Sequence, residues 1–102
     1  MNDLIQQHRS HVTELCRKYD VSRLDLIGSA TRKDFDPQRS DLDFVVEFND
    51  FTVSNAADRY LGLLVDLEDL FKRKIDLVSY RAIRNPYFKR VVDDTRVMLY
   101  AA

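Results

Sequence analysis

Residues 24–48 read LDLIGSATRKDFDPQRSDLDFVVEF, and this stretch constrains the fold more than any other. Gly28-Ser29 ends one apolar run, and Asp41-Leu42-Asp43 opens the next. The second run, Leu42, Phe44, Val45, Val46 and Phe48, is β-branched and aromatic, the composition of a largely buried strand. Side chains alternate along a strand, so Asp41 and Asp43 project from one face while Leu42 and Phe44 point to the other. Two carboxylates about 7 Å apart on one face repel each other. A divalent cation between them removes that cost, and hard cations such as Mg²⁺ prefer carboxylate oxygens.

Gly28 lacks a Cβ, so the chain can turn sharply there and a phosphate can approach its backbone. Ser29 adds a hydroxyl where a helical turn, residues 29–32, is expected to begin, and helix starts attract anions. For both motifs to serve one ligand, the end of the first strand must lie beside the start of the second. The two strands are then antiparallel, joined by residues 30–40.

Gly28-Ser29, eleven intervening residues and Asp41-x-Asp43 together resemble the signature of the nucleotidyltransferase superfamily that includes DNA polymerase β. The surrounding GSATRKDFDPQRSDLDFVVEF most resembles the minimal nucleotidyltransferases (MNT) paired with HEPN toxins. The resemblance spans nearly the whole chain and implies a nucleotidyltransferase core using ATP and Mg²⁺, with Mn²⁺ as an alternative and two ions expected. It also implies that Arg32, one helical turn after Ser29, and Ser40 join Gly28 and Ser29 in binding nucleotide.

With 102 residues the chain is expected to form a single domain, 1–102, with one modest core. Its 45% apolar and 32% charged residues are ordinary for a globular protein. A net charge of −1 supplies no overall attraction to nucleic acid or anionic membrane, so neither is expected as a partner. No apolar run is long enough to span a bilayer and no signal-peptide pattern opens the chain. The lone Cys16 cannot form an internal disulfide, which suits a reducing cytoplasm.

Along the rest of the chain, residues 2–19 read as an amphipathic helix through Leu4, Ile5, His8, Val12, Leu15, Cys16 and Tyr19. His8 and His11 have no third ligand of their kind nearby and read as a helix-surface pair, and Cys16 as a small core residue. Residues 23–28 form the first strand, with Leu24 and Leu26 opposite Arg23, Asp25 and Ile27. A helix over 56–72 is expected to start near Asn55, with Asp58 reaching back in a capping box. It carries a broad apolar stripe and connects to a short strand, Ile75 to Ser79, which is therefore parallel to the second strand. Asp76 then turns toward the face of Asp41 and Asp43. Asn85-Pro86 starts a further helix whose inner face is expected to be Tyr87, Phe88, Val91 and Val92, and Val97 to Tyr100 forms a last strand.

The expected architecture is α/β: a small mixed sheet with helices on one face and three carboxylates on the other. Three such acids beside a phosphate-binding Gly-Ser suit two-metal phosphoryl transfer, with Asp41, Asp43 and Asp76 as metal ligands and Asp76 also as base. The MNT resemblance implies an antitoxin that moves AMP from ATP to a tyrosine of a HEPN ribonuclease toxin. Two other readings are an antitoxin acting by binding alone and a nucleotidyltransferase acting on a small molecule.

Overall fold

The computed structural model describes residues 3–31, 36, 41–49 and 53–102. The chain runs α1 (Asp3–Gln7), α2 (Arg9–Lys18), β1 (Val21–Ile27), β2 (Leu42–Phe48), α3 (Val53–Phe71), β3 (Ile75–Ser79), α4 (Pro86–Thr95) and β4 (Val97–Ala101). The strands form one mixed sheet in the order β3-β2-β1-β4. β1 is antiparallel to β2 and β4, and β3 is parallel to β2. The parallel pair follows from α3, because only a crossover returns the chain to start at the same end of the sheet.

Alternation along the strands separates two apolar layers. Leu24, Leu26, Leu42, Phe44, Val46, Ile75 and Leu77 face α2 and α3, where they meet Ile5, Val12, Cys16, Leu63, Leu67 and Phe71. Cys16 is fully buried in this layer, and burial pushes its thiol pKa up to about 12, so it serves the core and is no nucleophile. Gly62 sets how closely α2 and α3 approach: a Cβ there would stand 2.5 Å from the Tyr19 ring. That ring lies along α3 and its hydroxyl donates to Asp66 at 2.6 Å.

Three boundaries differ from the sequence reading. The N-terminal helix is two helices, broken at His8, whose N–H donates to the Ile5 carbonyl three residues back at 3.1 Å. The His8 ring packs edge-on against Phe71 at 5.1 Å, so the apolar stripe continues through the break and periodicity alone does not reveal it. α3 begins at Val53, which puts Asn55 inside its first turn instead of at its cap. β1 begins at Val21, two residues early, and Gly28 belongs to the turn that follows it.

The larger correction concerns α4. Its start is as expected: Asn85 accepts from the backbone N–H groups of Tyr87 at 2.9 Å and Phe88 at 3.1 Å, with Pro86 in the first turn. Of the four residues expected on its inner face, however, only Val92 is buried; Tyr87 is 78% exposed, and Phe88 and Val91 are each 40% exposed. Val92 packs with Ile27 and Val45, residues of the sheet face opposite the main core. Helices α1 to α3 thus cover one face as anticipated, and among the described residues α4 is the one helix on the face that carries the acids. An amphipathic pattern identifies which residues are apolar, but not which side of a sheet will receive them.

Candidate active site

The end of β1 and the start of β2 lie side by side, with Ile27 opposite Asp43. After Ile27 the chain enters a short 3-10 turn, Gly28–Thr31, closed by a hydrogen bond from Thr31 Oγ1 to the Gly28 carbonyl at 2.7 Å. Gly28 has φ +72, in the left-handed region where a side chain is strained. A Cβ at this position would also fall 2.5 Å from Asp43 Oδ2. The glycine is therefore required twice, by its own backbone and by the carboxylate packed against it.

β3 adds the third acid. In the parallel register Asp43 is paired with Asp76, so the two carboxylates leave neighbouring strands on the same face. Asp43 is half-buried and Asp76 exposed; Asp41 is exposed immediately before β2. The Asp43 pKa is held above the usual carboxylate range, first by burial and then by the negative charges of Asp76 and Asp41. Gly28, Asp41, Asp43 and Asp76 thus share one end of the sheet, as the sequence implies. Ser29 stands in the same turn, whereas Arg32 and Ser40 lie outside the described residues.

These acids fit a divalent cation in donor type and in electrostatics. Their oxygens are hard ligands, and their mutual repulsion is what a bound cation relieves. Among the described residues, no three His, Cys, Asp or Glu side chains already form a group that could hold a metal ion. Asp43 and Asp76 stand in paired register, and Asp41 is exposed immediately before β2. The His8–His11 pair, with ring centroids 6.5 Å apart, belongs to no such group either.

A fourth acid on this face has a different role that residue spacing does not reveal. Asp25 is fully buried, yet it is bound by two arginines: Arg96 Nε, and Arg23 Nε at 3.0 Å. Arg96 also donates to Glu47 at 2.9 Å, and its guanidinium lies 4.8 Å from the centre of the Tyr80 ring. The network ties the α4–β4 junction to the sheet. The only trace of it in the sequence is an acid inside an apolar strand, and nothing local pairs that acid with an arginine 71 residues away.

Between α4 and the acid face lies a cavity of about 280 Å³. Gly28, Thr31, Asp43 and Asp76 line it, together with Ile27 and Val78 from the sheet and Phe88, Val91, Val92 and Thr95 from α4. Sequence reasoning missed this cavity because it arises only from α4 covering the acid face.

Comparison with known proteins identifies the family and the fold. The family model described as nucleotidyltransferase domain matches residues 8–99. The candidate protein adenylyltransferase MJ1379 of Methanocaldococcus jannaschii is 34% identical over 86 residues, 84% of each chain. A solved structure of a candidate minimal nucleotidyltransferase has a TM-score of 0.68 at 28% identity, covering 94% of this chain and 95% of that one. A chain from the structure of a tri-AMPylated Shewanella oneidensis HEPN toxin in complex with an MNT antitoxin shares the fold, with a TM-score of 0.66 at 18% identity, covering 95% of this chain and 72% of that one. Among the described residues no helix is long and apolar enough to cross a membrane. With nine-tenths of its length matched and its acids gathered beside Gly28, the chain belongs to the nucleotidyltransferase domain family.

Proposed function

We propose that this protein is a metal-dependent protein adenylyltransferase of the cytoplasm, transferring AMP from ATP to a tyrosine of a HEPN-type ribonuclease toxin and so neutralising it. The observation that carries the reading is the pairing of Asp43 with Asp76 directly against Gly28. Support comes from the protein adenylyltransferase name of the relative MJ1379 and from the AMPylated HEPN toxin in the complex of similar fold.

Asp41, Asp43 and Asp76 would hold Mg²⁺, or Mn²⁺ in its place, and two ions suit the reaction. When bound, the metal neutralises triphosphate charge and stabilises the departing pyrophosphate. Gly28 lets the phosphates approach the turn, and Ser29, with Arg32 and Ser40, completes the nucleotide-binding set. Asp76 is exposed at the sheet edge, free to take the proton from an incoming hydroxyl. The acceptor oxygen bonds to the α-phosphorus as the bond to the bridging α–β oxygen breaks, and pyrophosphate leaves. A tyrosine hydroxyl, with a pKa near 10, reacts only if its proton is removed in place, which requires precise delivery by a docked partner.

The test combines the protein, Mg²⁺ and labelled ATP with a folded HEPN-type toxin, and separately with tyrosine, short peptides and RNA. Mass spectrometry is expected to find AMP on a tyrosine of the folded partner and very little elsewhere. Labelling of an RNA 3′ end with none on the partner would refute the assignment. Neutralisation that survives alanine at both Asp41 and Asp43 would replace it with inhibition by binding alone.

A further inference from the structure

The cavity under α4 has a distinctive inventory of hydrogen-bonding groups. Its walls are apolar: Ile27 and Val78 from the sheet, Phe88, Val91 and Val92 from the helix. Asp43 and Asp76 supply only acceptors when ionised. Among the described lining residues, the two hydroxyls have already committed their protons, Thr31 Oγ1 to the Gly28 carbonyl at 2.7 Å and Thr95 Oγ1 to the Val91 carbonyl at 2.6 Å. Among the described residues, the lining side chains therefore offer apolar surface and acceptors, and no uncommitted side-chain donor.

That inventory selects against a purine. A purine base presents ring nitrogens that accept hydrogen bonds, and the described lining side chains supply no donor to pair them. A phenol is the complement, with a flat apolar ring and one O–H to donate. The volume points the same way. Pockets that enclose a whole small molecule run from roughly 300 to 1,000 Å³, and this cavity of about 280 Å³ lies just below them, a size suited to a side chain inserted from outside.

We propose that this cavity is the acceptor subsite, in which Phe88 and Val91 clasp the ring of an incoming tyrosine and direct its hydroxyl to Asp43 and Asp76. The proposal rests on the adenylyltransfer reading and adds the residues that select the acceptor. It accounts for the exposure of Phe88 and Val91, which would line the open side of the cavity until a ring covers them. A serine or threonine hydroxyl would reach the acids only by leaving these walls uncovered, so the subsite selects tyrosine.

The experiment uses the full chain labelled at isoleucine and valine methyl groups, in Mg²⁺, with and without the non-hydrolysable analogue AMP-PNP. N-acetyl-tyrosinamide, N-acetyl-phenylalaninamide and N-acetyl-serinamide are titrated in turn and followed by NMR. The tyrosine amide is expected to shift the methyls of Ile27, Val78, Val91 and Val92 at millimolar concentration, the phenylalanine amide more weakly and the serine amide not at all. Val91→Asn and Phe88→Ala should each weaken tyrosinamide binding by about tenfold, the scale of one lost apolar contact, with AMP-PNP affinity by calorimetry unchanged. Equal response to all three amides would overturn the proposal. So would movement of these methyls by AMP-PNP alone without response to tyrosinamide, which would make the cavity a nucleoside site. Failure to bind AMP-PNP would instead refute nucleotidyl transfer, while the amide titration without nucleotide still decides what the cavity takes.

Discussion

Asp25 and Asp43 are the same residue type on the same face of adjacent strands, and their surroundings give them opposite roles. Asp25 is buried between Arg96 and Arg23, its charge compensated. Asp43 is half-buried and, among the described residues, meets like charge from Asp76 and Asp41; burial first and that repulsion second raise its pKa. Replacing Asp43 by Asn therefore removes that repulsion, and among the described residues it breaks no ion pair. Asp43→Asn should melt at or above the wild-type temperature in EDTA at neutral pH, by differential scanning fluorimetry. AMP transfer should fall roughly a hundredfold or more if Asp43 acts in the site; full activity would exclude it. Gly28 tests the same contact from the other side. Gly28→Ala forces a side chain into left-handed backbone, at about 1–2 kcal/mol, and displaces the Asp43 carboxylate 2.5 Å from the new Cβ. We expect reduced stability in urea and loss of ATP binding by calorimetry; unchanged ATP affinity would place the nucleotide elsewhere.

At the level of elements, α4 determines whether the acid face is a flat surface or a cleft. The cap at Asn85 starts the helix, but the helix is held to the sheet at its far end, where Val92 is buried and Arg96 joins Asp25 and Glu47. The Arg96 side chain is only 9% exposed, and its removal would leave Asp25 buried and, among the described residues, bound by Arg23 alone. Breaking a buried pair from one side costs about 3–5 kcal/mol, well above the ~1 kcal/mol of a helix cap. Arg96→Ala should therefore lose about that much stability in urea titration and expose α4 to limited proteolysis before the strands. A loss below about 1 kcal/mol would show that the network is not what holds α4.

For the molecule as a whole, a ligand that binds only the native state raises its stability by mass action. At Mg·ATP a hundred times its Kd the gain is about 2.7 kcal/mol, or roughly 13 °C in Tm for a chain of about this length. Differential scanning fluorimetry should show this shift with Mg²⁺ and ATP together, and lose it in EDTA or in the Asp41→Ala, Asp43→Ala double variant. An equal shift with ATP in EDTA would remove the divalent cation from nucleotide binding.

The sequence by itself determined what depends on near neighbours and on chain direction. Alternation placed Asp43 on the face away from Leu42 and Phe44, the Gly28-to-Asp43 spacing brought two strand ends together, and the crossover through α3 made β3 parallel and set Asp76 beside Asp43. Asn85-Pro86 marked the start of α4 for the same reason, since capping is satisfied within one turn. Only the tertiary structure decided which face α4 covers, that Asp25 is compensated by Arg96, and that an apolar cavity adjoins the acids. Each of these depends on groups far apart in the chain that meet only after the sheet has closed. Periodicity and spacing report the environment within a few residues, whereas burial and charge pairing are set by whatever element arrives from elsewhere.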